Sequence, residues 1–185
     1  MNMQQLQSQW QSFAQNMLEY TAMLGLDDSD LVCDHVALRV NTVASAESLL
    51  AEWRKLGQVI SDNVINGRPI YIIELDEPLL LGDWKIDCVE LPFPGEKQYP
   101  NEGWEHIELV LPSQATTTAQ LQDEWYRAYP DLPSVLATHQ EIAVKCSSPK
   151  GERERLANPT IAFKCANLCV KVHTAGIKAV IASEQ

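Results

Sequence analysis

Two segments of this chain carry the same short pattern in the same frame, and nothing else in it limits the fold as much. Asp34-His35-Val36-Ala37-Leu38-Arg39-Val40 and Glu105-His106-Ile107-Glu108-Leu109-Val110-Leu111 each place an acid before a histidine, then alternate. His35 and His106 are 71 residues apart, and Trp53 and Trp125, in the phrases Glu52-Trp53 and Glu124-Trp125, are 72 apart. Two independent offsets of nearly equal size read as an internal duplication. The chain has only four histidines. Two of them in matched frames point to imidazoles shared by one site, and so to a metal.

The rest of the chain fits a repeat. Leu6, Trp10, Phe13, Met17 and Leu24 recur at helical spacing before Gly25, so residues 1–30 read as a helical segment outside the repeat. It either caps the sheet or mediates a homodimer. The first module, 31–95, runs from the His35 strand into an amphipathic helix over 45–56 closed by Gly57. A strand over 58–65, the Asn66-Gly67 turn, a returning strand over 68–75 and a fourth strand over 83–91 follow. The second module, 96–185, repeats the order with the His106 strand, a helix over 116–129 and strands over 141–147, 160–166 and 168–174. Residues 133–140, with His139, read as a surface connection. The charged stretch 148–158 reads as a solvated loop, with a mobile lid as the alternative. The expected fold is α+β: paired β-α-β-β-β modules in one integrated domain, a curved mixed sheet with helices outside, and the N-terminal helix. At 185 residues the chain is long enough to bury a core, roughly 70% of its unfolded surface.

Alternation sorts the strand residues by face. Val36, Leu38, Val40, Ile107 and Leu109 form the apolar face that helices cover. The polar, concave face takes His35, Arg39, Glu90, His106, Glu108, Glu141, Lys145, Lys171 and His173. On regular strands Asp34 and Glu105 point the other way and are doubtful partners for their histidines. A solvated sheet face explains polar alternation in general, but not three of four histidines falling on it.

Charge removes several function classes. The formal net charge is −11, which repels phosphate backbones and anionic lipid, so nucleic acid and membranes are not expected partners. No apolar run approaches the length of a membrane span, and the glutamine-rich start lacks the basic region of a signal peptide. The five cysteines form no C-x-x-C pair and read as reduced thiols of a cytoplasmic protein. Cys165 and Cys169 fit adjacent strands better than a thiolate metal site.

Four phrases are specific: Asn63-Val64-Ile65-Asn66-Gly67-Arg68-Pro69-Ile70, Glu90-Leu91-Pro92-Phe93-Pro94-Gly95-Glu96-Lys97, Gly103-Trp104-Glu105-His106-Ile107-Glu108 and Ser147-Ser148-Pro149-Lys150-Gly151-Glu152. Through them the chain resembles the YecM family of bacterial proteins, within the vicinal oxygen chelate superfamily of glyoxalases, epimerases and extradiol dioxygenases. The resemblance implies paired modules closing into a cup around a divalent metal, with ligands from the first and last strand of each module. His35, Glu90, His106 and His173 then take the ligand positions. Aligning Cys88-Val89-Glu90 on Cys169-Val170-Lys171 instead puts Lys171 in the fourth position, and His173 is preferred because lysine is a poor ligand at neutral pH. Such a set suits Zn²⁺, Ni²⁺, Fe²⁺, Co²⁺ or Mn²⁺. Glu108 is the first candidate for a catalytic base and Glu141 the second. Arg39, Arg68, Lys145 and Lys171 are candidates for holding an anionic small-molecule substrate. The implied function is isomerase or lyase chemistry on a metal-chelated carbonyl or hydroxy compound. A metal-free small-molecule binder and an iron-dependent dioxygenase are the alternatives.

Overall fold

The computed structural model describes residues 1–27, 31–148 and 155–184. Helix α1 (Met3–Met23) begins at a capping box, in which Asn2 accepts from the Gln5 N–H and the Gln5 side chain accepts from the Asn2 N–H. It ends before Gly25, whose φ of +67° suits a residue without Cβ. Strand β1 (Val32–Arg39) leads to α2 (Val43–Trp53), which is capped by Thr42. Then come β2 (Gly57–Ser61), β3 (Val64–Ile65), β4 (Arg68–Leu81) and β5 (Trp84–Pro92). The second half runs β6 (Gly103–Val110), α3 (Thr118–Ala128), α4 (Leu132–Thr138), β7 (Ala143–Ser147), β8 (Thr160–Cys165), β9 (Leu168–His173) and α5 (Ile177–Ala182).

Among the described residues the strands form one curved mixed sheet of nine, in the order β2-β4-β5-β1-β6-β9-β8-β7, with β3 paired to β4. Each half places its first strand parallel to its last, β1 with β5 and β6 with β9. The halves meet at the antiparallel β1–β6 pair, so the strand order reads the same from either edge. The register is also matched: Ala37 stands beside Glu90 as Glu108 stands beside Lys171.

Helices α1, α2 and α3 cover the convex side. There Leu6, Met17, Leu49, Leu121 and Trp125 are buried against Val36, Leu38, Ile107, Leu109 and Phe163. Helix α1 therefore caps the chain's own sheet. Trp104 fastens it: the indole N–H donates to the Leu6 carbonyl at 2.9 Å, and the ring lies 4.7 Å from Trp10 and 6.1 Å from Trp53. Trp104→Phe removes that hydrogen bond while keeping an aromatic ring. The expected cost is about 1–2 kcal/mol, read as a lower urea midpoint at unchanged slope.

The elements differ from the sequence expectation in four places. The expected strand over 58–65 is split, because Asn63 Oδ1 accepts from the Val64 N–H while Ser61 Oγ and Asn63 Nδ2 donate to Glu184. Strand β4 runs past Leu75 to Leu81, across a register shift between Glu74 and Leu79. Pro78, which has no N–H to give the ladder, sits in that irregularity. Helix α4 occupies the expected connection, with Pro133 in its first turn. Helix α5 was not legible as a helix, and its Ile177 and Ile181 cover Ile70, Ile72 and Cys88 on the concave side. Of the 148–158 loop, residues 149–154 lie outside the described residues.

No helix among the described residues is long and apolar enough to cross a membrane. All five cysteines are free. Burial pushes the Cys88 thiol up to about 12 and raises Cys169 as well, so neither is an activated thiolate.

Candidate metal centre

The site is built on two β-bulges. Along β1–β6, Cys33 stands opposite Leu109 and His35 opposite Glu108, so Asp34 is an extra residue on β1. Ala37 stands opposite His106 and Leu38 opposite Trp104, so Glu105 is an extra residue on β6. A bulge breaks the two-residue alternation and re-aims side chains. Asp34 and Glu105, which regular strands would turn away, instead join their histidines on the concave side. The two bulge residues are themselves 71 positions apart, the same offset as the two histidines.

Asp34 holds three partners with one oxygen. Its Oδ2 is 3.1 Å from His35 Nδ1 and 3.4 Å from His173 Nε2, and it accepts the Ile177 N–H at 2.7 Å. With Nδ1 of His35 engaged by Asp34, Nε2 is left facing Glu90 Oε2 at 3.7 Å and Glu108 Oε1 at 3.6 Å. That Nε2 is buried and has no hydrogen bond. Glu108 is the hub on the other side: its Oε1 lies 3.0 Å from His106 Nε2 and 2.7 Å from Lys171 Nζ. Two groups of converging donor atoms result, His35–Glu90–Glu108 and Asp34–His35–His173.

The cations facing the three carboxylates counter the burial that would otherwise raise them. Burial raises Glu108, but the Lys171 ammonium and His35 outweigh it and hold the carboxyl well below the usual range. Glu90 is lowered against its burial by His35 and Lys171. Asp34 is lowered against its burial by hydrogen bonds to His173 and His35. Burial disfavours the charged form of His35, yet Glu108, Asp34 and Glu90 raise it well above the ordinary value. Burial and Lys171 together lower His106 despite Glu108. Lys171 is raised, its burial outweighed by Glu108 and Glu90.

Every expected site residue but one lines the same cleft, of about 350 Å³: His35, Arg39, Arg68, Glu90, His106, Glu108, Lys145, Lys171 and His173. Glu141 does not. It precedes β7, is largely exposed and pairs with His139 at 3.0 Å, so it is not placed to act as a base in the cleft. The strand register places Lys171, not His173, in line with Glu90. His173 lies one pleat further along, in the group with Asp34. The Asn158 amide NH₂ donates to His173 Nδ1 at 2.9 Å, oriented by an Oδ1 that accepts the Thr174 and Ala175 N–H groups. His173 Nε2 lies 3.4 Å from Asp34 Oδ2 and is buried without a hydrogen bond. Alternation alone missed Asp34 and Asn158; for Asp34 the signal was the repeated acid-histidine doublet itself.

Fold and site together define a curved mixed-sheet protein whose two central strands bring histidines and carboxylates to one buried cluster of candidate metal ligands. The chain belongs to the YecM family: the family model described as YecM protein matches residues 2–184. Protein YecM of Escherichia coli (strain K12) is 42% identical over 188 residues, covering 99% of this chain and 94% of that protein. An uncharacterised protein of Haemophilus influenzae (strain ATCC 51907 / DSM 11121 / KW20 / Rd) is 40% identical over 158 residues, covering 83% of this chain and 80% of that one. A solved structure described as a structural-genomics protein, EC4020, matches with a TM-score of 0.84 at 38% identity, over 98% of this chain and 92% of that one.

Proposed function

We propose that this cleft holds a divalent transition metal on His35, Glu90, His106 and Glu108, and that the chain is a metal-dependent enzyme of the vicinal oxygen chelate type. The observation that carries the reading is His35 Nε2. It is buried, has no hydrogen bond, is oriented by Asp34 through Nδ1, and faces two carboxylates. A carboxylate–histidine pair aimed at an empty-handed ring nitrogen is the usual support of a metal ligand. Donor separations of 3.0–3.7 Å suit a shell of bonds of about 2.1 Å. The matched order of the two halves around β1 and β6 supports the paired-module reading.

A bound metal ion would act as a Lewis acid on a carbonyl or hydroxyl oxygen of a small substrate. The protein's own groups then divide the remaining work. Glu108, kept strongly ionised by Lys171, is an anchor and a weak base. Proton transfer falls to Glu90 when it swings off the metal; among the described residues its ion-pair partner is His35, at 3.7 Å. His173 and Asp34 hold the His35 ring. Isomerisation or elimination beside a polarised carbonyl is the chemistry this division fits.

Titration of chelator-treated protein with Zn²⁺, Ni²⁺, Co²⁺, Mn²⁺ and anaerobic Fe²⁺ tests the reading. At a hundredfold excess over Kd a binding ion adds about 2.7 kcal/mol of stability, a rise in Tm of several degrees. His35→Ala and His106→Ala are expected to lose that rise while keeping the far-UV spectrum. The Lys171 ammonium against Glu108 favours one rival, a metal-free binding cup that already contains its cation. Stabilisation by none of the five ions would establish that rival.

A further inference from the structure

His35 and His173 both line the cleft, and in each ring Nε2 is buried without a hydrogen bond among the described residues. Buried polar atoms in that state are uncommon and call for a cause. The two rings differ in what grips the other nitrogen, and that grip decides what Nε2 can offer. His35 is held through Nδ1 by the Asp34 carboxylate at 3.1 Å, which only accepts. Nδ1 therefore donates, and His35 can shed an Nε2 proton and turn a lone pair to a metal ion.

His173 is held the other way round. Its Nδ1 lies 2.9 Å from the Asn158 side-chain nitrogen, and the backbone fixes which end of that amide faces the ring. Asn158 Oδ1 accepts the Thr174 and Ala175 N–H groups at 3.2 and 3.1 Å, and the Thr174 hydroxyl at 3.2 Å. Its NH₂ donates to the Ala175 carbonyl at 3.3 Å as well as to the ring. A flipped amide would set NH₂ against two backbone N–H groups. Nδ1 of His173 therefore accepts, and the ring proton sits on Nε2. Around that N–H, Asp34 Oδ2 at 3.4 Å and Glu108 Oε2 at 3.8 Å both lie beyond the usual N–H···O range of about 2.7–3.2 Å. The ring stands perpendicular to His35, with 6.0 Å between centroids.

We propose that His173 is a hydrogen-bond donor of this cleft and not a metal ligand: its Nε2–H, fixed by Asn158, binds a neutral oxygen acceptor, a carbonyl or hydroxyl oxygen, on the small molecule that enters. Asp34 and Glu108 flank the N–H and repel an anion there, which is why the acceptor is neutral. The inference rests on the proposed reading of the cleft as the functional site, and it adds the group that orients what binds. His35 offers a lone pair and His173 a proton, side by side. A carbonyl oxygen held by His173 is stabilised further as negative charge grows on it.

Nuclear magnetic resonance on the chelator-treated full chain tests the place of the proton directly. Long-range ¹H–¹⁵N correlation of the histidine rings, assigned with His173→Phe, is expected to show His173 with a bare Nδ1 and a protonated Nε2. Asn158→Asp sets a carboxylate oxygen, which only accepts, against Nδ1, and is expected to bring a proton onto it. Neutral probes then test the donor: dimethyl sulfoxide carries an oxygen acceptor, and dimethyl sulfide is similar in shape without one. Saturable shifts of the His173 Nε2 signal with the sulfoxide, and none with the sulfide, are expected. The sulfoxide should bind about threefold to tenfold more weakly to His173→Phe, the loss of one neutral hydrogen bond, read from the amide signals of Thr174 and Ile177. Zn²⁺ uptake separates donor from ligand: His173→Phe keeps it, whereas His35→Ala loses it. The proposal is overturned by a proton on Nδ1 in the wild type, by an Nδ1 still bare in Asn158→Asp, or by sulfoxide binding that is absent or equal in His173→Phe. Zn²⁺ uptake lost with His173 as fully as with His35 overturns it too. A wild type that takes up no Zn²⁺ removes the metal reading alone, and the ring spectra and the probes still decide the proposal.

Discussion

Glu108→Leu is expected to destabilise the metal-free protein by about 3 kcal/mol, most of which returns in the Glu108→Leu/Lys171→Met double variant. Glu108 is 10% exposed and its carboxylate touches Lys171 and His106 directly, with His35 within 3.6 Å. Removing it strands the Lys171 ammonium beside a buried imidazole. Breaking a buried pair by deleting one partner costs about 3–5 kcal/mol. The lower end applies, because Lys171 is 30% exposed and Glu90 still acts on it. In a chain of this length that is a fall in Tm of about 6–12 °C. Replacing both partners with apolar groups removes the stranded charge, and exchanges of that kind are often near neutral. The pH dependence has a definite sign. Glu108 is lowered in the folded protein, so its contribution is complete above the unfolded glutamate value of about 4.3. It is lost as pH falls through the folded value. The gap between wild type and Glu108→Leu should be full at neutral pH and narrow in acid. A double variant no more stable than the single one would show that the ion pair is not the source.

Much of this site was legible in the sequence, and the misses share one cause. The frame of His35 and His106, the turn at Asn66-Gly67 and the strand positions of Glu90 and Lys171 follow from alternation and turn chemistry, which are local. Eight of the nine residues assigned to the concave face do line the cleft; Glu141 does not, because its strand begins two residues later at Ala143. Alternation placed Asp34 and Glu105 on the wrong side because a bulge is a property of two paired strands, invisible in either strand alone. The choice between Lys171 and His173 needed the parallel β6–β9 register. Asn158 and α5 reach the site only through the tertiary fold. Helix α5 has six residues and no side-chain cap, so nothing local announces it.

The two bulges also give the second large effect, because β1 and β6 use them unequally. Asp34→Ala is expected to cost about 2–4 kcal/mol and to weaken metal binding by tenfold to a hundredfold, whereas Glu105→Ala costs at most about 1 kcal/mol. Asp34 is 11% exposed and its Oδ2 serves His35, His173 and the Ile177 N–H together. Its loss strands the Ile177 N–H and the His35 Nδ1, at about 1–3 kcal/mol for a buried group left unsatisfied. It also frees the His35 ring to rotate, and such supporting partners are worth about 10–100-fold in metal affinity. Glu105 is 23% exposed, stands 3.7 Å from His106 Nδ1 and pairs mainly with Arg39, an arrangement closer to a surface ion pair of about 0–1 kcal/mol. Urea unfolding of the metal-free proteins measures the first difference, and competitive titration against a chelator measures the second. Equal losses in the two variants would mean that the acid before each histidine plays one structural part in both halves. The expected inequality means instead that the site is asymmetric. The first half supplies a histidine locked by the acid before it, and the second supplies the lysine and glutamate that balance the charge around it.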